Sequence, residues 1–386
     1  MSLPRKAVSC LRAHTADLVT LAVMALLIAA SFMLIATRDT SFQMLTANGT
    51  SYPAATVLEV TAESLSSEEG TDRYLGSQTL RVRLDSGEYA GEEVEVENSL
   101  TATHNVLAKQ GGHLIIKVER QEGVTPYYSV YNYDRLPGIV GLIAVYALAM
   151  AIVGGTKGLR SLAGLAFALI MVVGVLLPAL YSGLSALPTG LVVAAAIAVL
   201  SMLLLNGWTR KTVAAIVSTV GGLVAAMVVY LVFSSVLNVS GFNQEGAEEL
   251  IIIQQATNLD VRQVLFIGVL VASLGAVMDM CMSIATSLFE IKGQRPSIST
   301  AELIASAFNI GRDMIGTMCQ TLVLAFAGSS LTSLLVLMAY GVDFNQLLSS
   351  DYLAIELLHS FVGGIAVVLC VPITALACSA CTRHRE

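Results

Sequence analysis

The residues that could carry chemistry are concentrated in two neighbouring segments of a strongly apolar sequence. The first segment reads "LGAVMDMCMSIATSLFEI", and its polar residues are spaced by 4, 3 and 4 positions: Asp279, Ser283, Thr286 and Glu290. At about 100° per residue this spacing predicts one polar stripe along an α-helix. Carboxylates within an apolar helix are costly in a membrane and commonly mark an ion or substrate pathway.

The second segment, "AELIASAFNIGRDMIGTMCQ", repeats the spacing after the loop "KGQRPSIST". Its stripe consists of Glu302, Ser306, Asn309 and Asp313, continued by Thr317 and Gln320 and with Arg312 beside it. Residues equally far from the turn of a helical hairpin lie at the same depth. Asp279 and Asp313 are therefore predicted to lie level, each about 17 Å from its helix end.

Interhelical hydrogen bonding would by itself account for the serine, threonine and asparagine residues of these stripes. Two aspartates and an arginine at one depth are harder to explain in this way, because an uncompensated charge inside a bilayer is expensive. We therefore interpret the stripes as a ladder between two helices that binds a solute or an ion. The predicted binding residues are Asp279, Ser283, Thr286, Glu290, Glu302, Asn309, Arg312, Asp313 and Gln320.

Other reactive clusters are weaker. Cys378, Cys381 and His384 offer three metal ligands, whereas structural zinc sites usually have four, so an incidental tail is favoured and no cofactor is implied. Glu356 and His359 are expected at an interface, where they need no special explanation. No phosphate-binding Gly-x-x-x-x-Gly-Lys-Ser/Thr loop is found. Two membrane aspartates that share a proton could activate water, as in intramembrane aspartyl proteases, but the surrounding motifs differ from those enzymes, so we predict no enzymatic activity.

The elements that hold these residues are set by composition. Of the 386 residues, 55% are hydrophobic and 13% are charged, about half the charged share of soluble domains. A membrane span needs about 20 apolar residues, and eight such runs predict about eight transmembrane helices in a lipid bilayer. They lie near 18–36, 137–155, 161–180, 190–206, 212–238, 263–289, 303–340 and 355–378. The 38-residue run 303–340 is too long for a simple span and predicts an interfacial beginning, a tilt or a break at Gly328.

Residues 38–136 differ from the rest. The segments "AATVLEV", "QTLRVRL", "EEVEVEN" and "HLIIKVE" alternate apolar and polar residues or are β-branched, which predicts a small β-barrel or sandwich. This segment holds 15 of the 28 acidic but only 8 of the 21 basic residues, which argues against nucleic acid as a partner. It contains no cysteine, which excludes disulfides.

Basic residues orient the spans, because Lys and Arg favour cytoplasmic connections. If the N-terminus is cytoplasmic, the short outer loops hold only Arg262, and eleven basic residues lie inside: Arg5, Lys6, Arg12, Lys157, Arg160, Arg210, Lys211, Lys292, Arg295, Arg383 and Arg385. The predicted organisation is a cytoplasmic start with an uncleaved anchor (1–37), an extracytoplasmic β-domain (38–136) and an all-α domain of seven helices with a cytoplasmic C-terminus (137–386).

Four stretches carry a family resemblance: "GGTKGLRSLAGLAFALIMVVGVLLPALYSGL", "GWTRKT", "LGAVMDMCMSIATSLFEI" and "NIGRDMIGTMCQTLVLAFAGSS". They resemble the YibE/F-like bacterial membrane proteins over about 136–380, and the β-domain with its anchor is similar to the longer members. The resemblance implies a multi-pass protein of the bacterial inner membrane. It implies no particular activity.

Two functions remain open at this point. In the first, the protein is a transporter or permease, and the carboxylate ladder couples a proton or cation to movement of a small solute. In the second, it is a non-catalytic sensor, scaffold or assembly factor whose acidic β-domain binds a protein partner. A water-accessible cavity that reaches Asp279 is required only by the first.

The orientation of the chain can be tested by cysteine labelling in intact cells. A cysteine placed at Ser86 should react with a membrane-impermeant reagent from outside, whereas one placed at Gln294 should react only after the inner face is exposed. Labelling at Gln294 from outside would contradict the eight-span assignment.

Overall fold

The structure is a computed structural model, and it describes residues 5–36, 49–67, 70–120, 123–239, 251–255 and 259–383. The chain divides into two compact units. One comprises Phe42–Ala149, and the other comprises Met1–Ser41 together with Met150–Glu386. Each unit is described by itself below.

The smaller unit contains an antiparallel β-barrel. Its strands are β1 (Thr50–Ser51), β2 (Ala54–Ser67), β3 (Tyr74–Leu84), β4 (Glu93–Leu100), β5 (His113–Glu119) and β6 (Tyr127–Tyr133). The order is β1-β5-β2-β3-β4-β6, and β5 also pairs with β6, which closes a ring of five long strands. The β4–β6 pairing is parallel and all other pairings are antiparallel. This connectivity is that of an OB-fold barrel.

The strands form because apolar residues alternate along them. In β3, Leu80, Val82 and Leu84 are fully buried, while the intervening Arg81 and Arg83 are exposed. The four segments predicted as strands all lie in β2 to β5, so the β-domain prediction is confirmed in kind. The short β1 and the tyrosine-rich β6 were not predicted, because "YYSVYNY" lacks a clear alternation of apolar and polar residues.

A buried polar network fixes the connection between β4 and β5. Asn98 Nδ2 donates to Val106 O at 2.7 Å and to Gln78 Oε1 at 3.1 Å. The Ala108 backbone N–H donates to the same Gln78 oxygen, and Gln78 Nε2 donates back to Ala108 O. Both side chains are almost fully buried. Residues 101–112 are therefore held across the barrel by amide groups where water cannot replace them.

The larger unit is helical. Its helices are α1 (Arg5–Ala36), α2 (Leu136–Ile170, which begins in the smaller unit), α3 (Leu177–Tyr181), α4 (Ala186–Asn206), α5 (Arg210–Val236), α6 (Val261–Gln294), α7 (Thr300–Ser329), α8 (Leu331–Ala339), α9 (Phe344–Leu348) and α10 (Asp351–Arg383). A π-helical segment, Met171–Leu176, joins α2 to α3. It lies just before Pro178, whose missing N–H removes an α-helical hydrogen bond.

The prediction of eight spans is not confirmed. Five of the described helices are long and apolar enough to cross a membrane, or six if the bent pair of α7 and α8 counts as one span. The predicted runs 137–155 and 161–180 lie in one helical stretch, Leu136–Tyr181, and the apolar part of α1 is only Asp17–Met33. That stretch is itself interrupted at Gly155, at the end of the first predicted run, so Lys157 and Arg160 follow a break in the helix.

Two breaks interrupt the long helices. Gly155 lies inside α2 with φ 54° and ψ −137°, far from helical values. The axes of α7 and α8 differ by 54° across Ser330, so the long 303–340 run is broken, two residues from the predicted position at Gly328.

The centre of the helical unit is α10, which packs against α5, α6 and α7. Glycines allow this packing. A Cβ built on Gly222 would lie 2.3 Å from Cys370 Sγ, and one on Gly311 would lie 2.5 Å from Val371 Cγ1. Small residues at helix contacts are typical of membrane bundles, in which lipid provides little hydrophobic drive for association.

The amide network of the β-domain can be tested by truncation. Asn98→Ala leaves the Val106 carbonyl without its buried donor, so the free energy of unfolding should fall by about 1–3 kcal/mol. The measurement is urea unfolding of a separate 42–136 fragment, followed by circular dichroism. Ser99→Ala, at the exposed neighbouring position, should change it by less than about 0.5 kcal/mol. Equal effects of the two substitutions would show that the network does not stabilise the barrel.

Candidate functional site

A cavity of about 500 Å³ lies among α2, α4 and α6. Its apolar lining comes from Leu205 and three methionines. Its polar lining consists of Lys157, Asn206, Asp279, Ser283, Thr286 and Ser287. An ammonium group, a carboxylate, an amide and three hydroxyls thus face one space, which is the mixture expected of a polar-ligand site in a membrane protein.

The periodicity of α6 places one half of this site. Met280, Cys281, Ile284 and Ala285 are buried against the bundle, whereas Asp279, Ser283 and Thr286 are exposed on the outward face. The helix starts at Asp260, whose side chain accepts a hydrogen bond from the Arg262 N–H. The 4-3-4 spacing therefore predicted the stripe on α6 correctly.

The break at Gly155 positions Lys157, the second charged residue of the cavity. Immediately after it, the backbone turns so closely that a Cβ on Gly158 would lie 2.0 Å from Met150 O. Lys157 lies between these glycines and lines the cavity. Asn206 is the last residue of α4, which ends at Gly207 with φ 73°. Both residues are thus positioned where a helix is interrupted, a common way to build a site within a membrane.

Several polar side chains of the cavity have no bonding partner within the described part of the chain. In the part of the chain that the structure describes, Lys157 and Asp279 form no ion pair, and the Ser283 and Thr286 hydroxyls form no hydrogen bond. Buried hydroxyls elsewhere donate to the preceding turn of their own helix, as Ser273 does to Val269 O at 2.8 Å and Ser218 does to Ala214 O at 2.7 Å. The cavity groups therefore keep their capacity to bind water, an ion or a solute.

The stripe on α7 does not enter this cavity. Glu302 forms a capping box with Ser299, and the Ser306 hydroxyl donates to Glu302 O at 2.9 Å. On α6, Glu290 accepts from Gln294 Nε2 at 3.1 Å instead of lining the cavity. The remaining predicted residues of α7 are exposed: Asn309, Arg312, Asp313 and Gln320. No hydrogen bond or ion pair joins the two stripes among the described residues. A shared carboxylate ladder is therefore not supported.

Comparison with known proteins was made with the whole sequence. The family model described as "YibE/F-like protein" matches residues 142–384, which is more than half of the chain. The chain belongs to the YibE/F-like family. No curated protein and no solved structure matches it. The family and the apolar helices together identify a multi-pass membrane protein.

Three polar residues of the cavity in this YibE/F-like protein were not predicted: Lys157, Asn206 and Ser287. Lys157 was read only as a cytoplasmic charge, and Asn206 was not considered. The signal available for Lys157 was its position beside Gly154-Gly155 between two apolar runs, since a charged residue near a glycine break suggests an interrupted helix.

The other clusters show a mixed outcome. His384 lies outside the described residues, while Cys378 is buried and Cys381 lines a smaller basic cavity of about 300 Å³ with Arg210, Lys211 and Lys292. Among the described residues no group of three or more His, Cys, Asp or Glu side chains could hold a metal.

Glu356 and His359 in this YibE/F-like protein are less exposed than the sequence suggested. Glu356 Oε2 and His359 Nε2 are both buried and lack a hydrogen-bond partner. The imidazole lies against the Phe326 ring at 5.9 Å. The sequence predicted an interfacial position for both residues, which stays a prediction, and the structure adds that α7 packs against α10.

The dependence of the cavity on the α2 break can be measured with two adjacent glycines. Gly155→Ala forces a Cβ into a backbone conformation that suits only glycine and should lower the free energy of unfolding by about 1–3 kcal/mol. Gly154→Ala meets open space in a helical conformation and should be neutral or slightly stabilising. Thermal unfolding of the detergent-purified protein compares them. A Gly155→Ala protein as stable as Gly154→Ala would show that the break is not fixed in the native state.

Proposed function

We propose that this protein is a permease of the bacterial inner membrane in which the cavity at Asp279 binds a proton or small cation and couples it to movement of a polar solute. The proposal includes cytoplasmic termini, an extracytoplasmic β-domain and no covalent catalysis. The observation that supports it is the cavity itself, because a group of unpaired polar side chains at the interruptions of apolar helices has no structural use there.

The charge arrangement suits reversible binding. Asp279 and Lys157 face the same cavity without forming an ion pair, so both charges are available to a ligand. A cation or proton on Asp279 neutralises the carboxylate and leaves Lys157 as the dominant charge. Without that cation, the carboxylate and the ammonium group offset each other, and the two charges of the cavity sum to zero. The affinity of the cavity for a negatively charged or polar solute therefore depends on whether Asp279 is neutralised.

Hydroxyl and amide groups provide the remaining contacts. Ser283 and Thr286 follow Asp279 along α6 at intervals of about one turn. Asn206, at the end of α4, lines the same cavity. Such groups can replace the hydration shell of a small ion or bond a polar solute without adding charge. Movement at the Gly155 break would open or close the site by displacing Lys157, as discontinuous helices do in secondary transporters.

The proposal is tested by reconstitution into liposomes. A potassium gradient with valinomycin sets the membrane potential, and an internal pH dye or labelled sodium reports entry of protons or sodium. The wild-type protein should carry at least one of these ions faster than empty liposomes. Asp279→Asn, which keeps the shape and removes the charge, should reduce that rate at least about tenfold.

The matched control removes one carboxylate elsewhere. Asp343 caps α9 by accepting from the Asn345 N–H, and asparagine caps equally well. Asp343→Asn should therefore keep the wild-type rate. Wild-type liposomes that move neither ion, or equal rates for Asp279→Asn and the wild type, would contradict the proposal.

A further inference from the structure

The outward face of α7 has an unusual composition for a membrane helix. Between Ala301 and Gln320 nine residues are exposed, and none of them is a large apolar residue. They are Ala301, Glu302, Ala305, Asn309, Arg312, Asp313, Gly316, Thr317 and Gln320. At 100° per residue they occupy about 160° of the helix circumference, opposite the buried Leu303, Ala307 and Gly311. These nine residues are called the polar face of α7 below.

The other apolar helices expose large apolar side chains, as contact with lipid requires. In α2, Ile152 and Val153 are 72% and 90% exposed, and in α5 and α10, Val217 and Phe361 are each 56% exposed. On α7 an arginine, an aspartate and two amides take the corresponding position. Contact of such groups with hydrocarbon is costly, so the native membrane protein must cover them with something polar.

Within the described part of the chain, no helix covers the polar face of α7. α7 packs against α10 and α6 through its opposite side, and neither Arg312 nor Asp313 has an ion-pair partner among the described residues. None of the nine residues of this face lines the cavity at Asp279.

We propose that the polar face of α7 is the interface of a homodimer, in which the same face of a second copy covers it. All copies enter the membrane in one orientation, so a two-fold axis between them lies along the membrane normal, and residues of equal height meet. Arg312 and Asp313 differ by one residue, about 1.5 Å in height. Arg312 of each copy then faces Asp313 of the other, so the two copies are complementary in charge at this height.

The small residues of the face make close approach feasible. A Cβ on Gly316 would meet no atom within 4 Å, so the space beside it is open. Ala301 and Ala305 lie on the same face. Two α7 helices can therefore approach until Asn309 of one copy bonds to Asn309 of the other, and Gln320 to Gln320. Polar pairing across small residues is the standard way in which membrane helices associate without a hydrophobic drive.

Charge exchange tests the proposal in full-length protein. Two copies carrying different affinity tags are expressed together, and co-purification in mild detergent is measured. The wild type should co-purify with itself. Arg312→Asp with itself, and Asp313→Arg with itself, each place like charges opposite one another and should reduce co-purification at least about tenfold. Arg312→Asp expressed with Asp313→Arg pairs opposite charges at both contacts and should restore it.

The double variant Arg312→Asp/Asp313→Arg exchanges the two charges within one copy, so it should co-purify with itself. It keeps the proposal testable if either single variant fails to insert. Arg295→Asp changes an exposed charge outside α7 and should have no effect. Three results would overturn the dimer: a wild type that does not co-purify, single variants that co-purify like the wild type, or a mixed pair and double variant that both stay separate. The first of these would indicate a water-filled path or another protein against α7.

Discussion

In a membrane, a polar side chain on a helix must bond to its own backbone, meet another protein group or face water, because hydrocarbon offers no partner. The helical unit of this YibE/F-like protein is arranged around that constraint. Inside the bundle, the hydroxyls of Ser218, Thr219 and Thr374 each donate to a carbonyl one turn earlier, so they are buried without needing another helix. Asp279 of α6 and Arg312 and Asp313 of α7, which have no such bond, are exposed on the outside of the bundle.

The packing of α10 decides where these residues point. Because α10 lies against α5, α6 and α7, each of those helices must turn its smallest and most apolar side toward it. Gly222 of α5 and Gly311 of α7 are both in contact with α10 at distances that leave no room for a Cβ. On α7, this contact turns Leu303 and Ala307 inward and leaves Asp313 on the opposite side. The position of a polar stripe is thus a consequence of which apolar face the core accepts.

This explains what the sequence could and could not predict. The 4-3-4 spacing correctly placed Asp279, Ser283 and Thr286 on one exposed face, and alternation located four barrel strands, because both features are local. Equal distances of Asp279 and Asp313 from the turn concern only their height, whereas contact also depends on the rotation of each helix, which α10 sets. Lys157 could not be assigned to the cavity, because its position follows from the backbone at Gly155 and not from any periodicity.

The two stripes therefore share a spacing but differ in their neighbours. Beside the outward face of α6 lie the end of α4 and the break in α2, so Asp279 faces an open polar cavity that is also lined by Lys157. The outward face of α7 has no described helix beside it. Arg312 and Asp313 can therefore pair only with a group from outside the described part of the chain. In the proposed function, the carboxylate in the first setting exchanges a proton or cation, with Lys157 and hydroxyl groups lining the same cavity. A carboxylate in the second has a fixed opposite charge one residue away and gains most from a permanent partner. Under the two proposals, the same spacing in sequence serves binding in α6 and association in α7, because the surrounding helices differ.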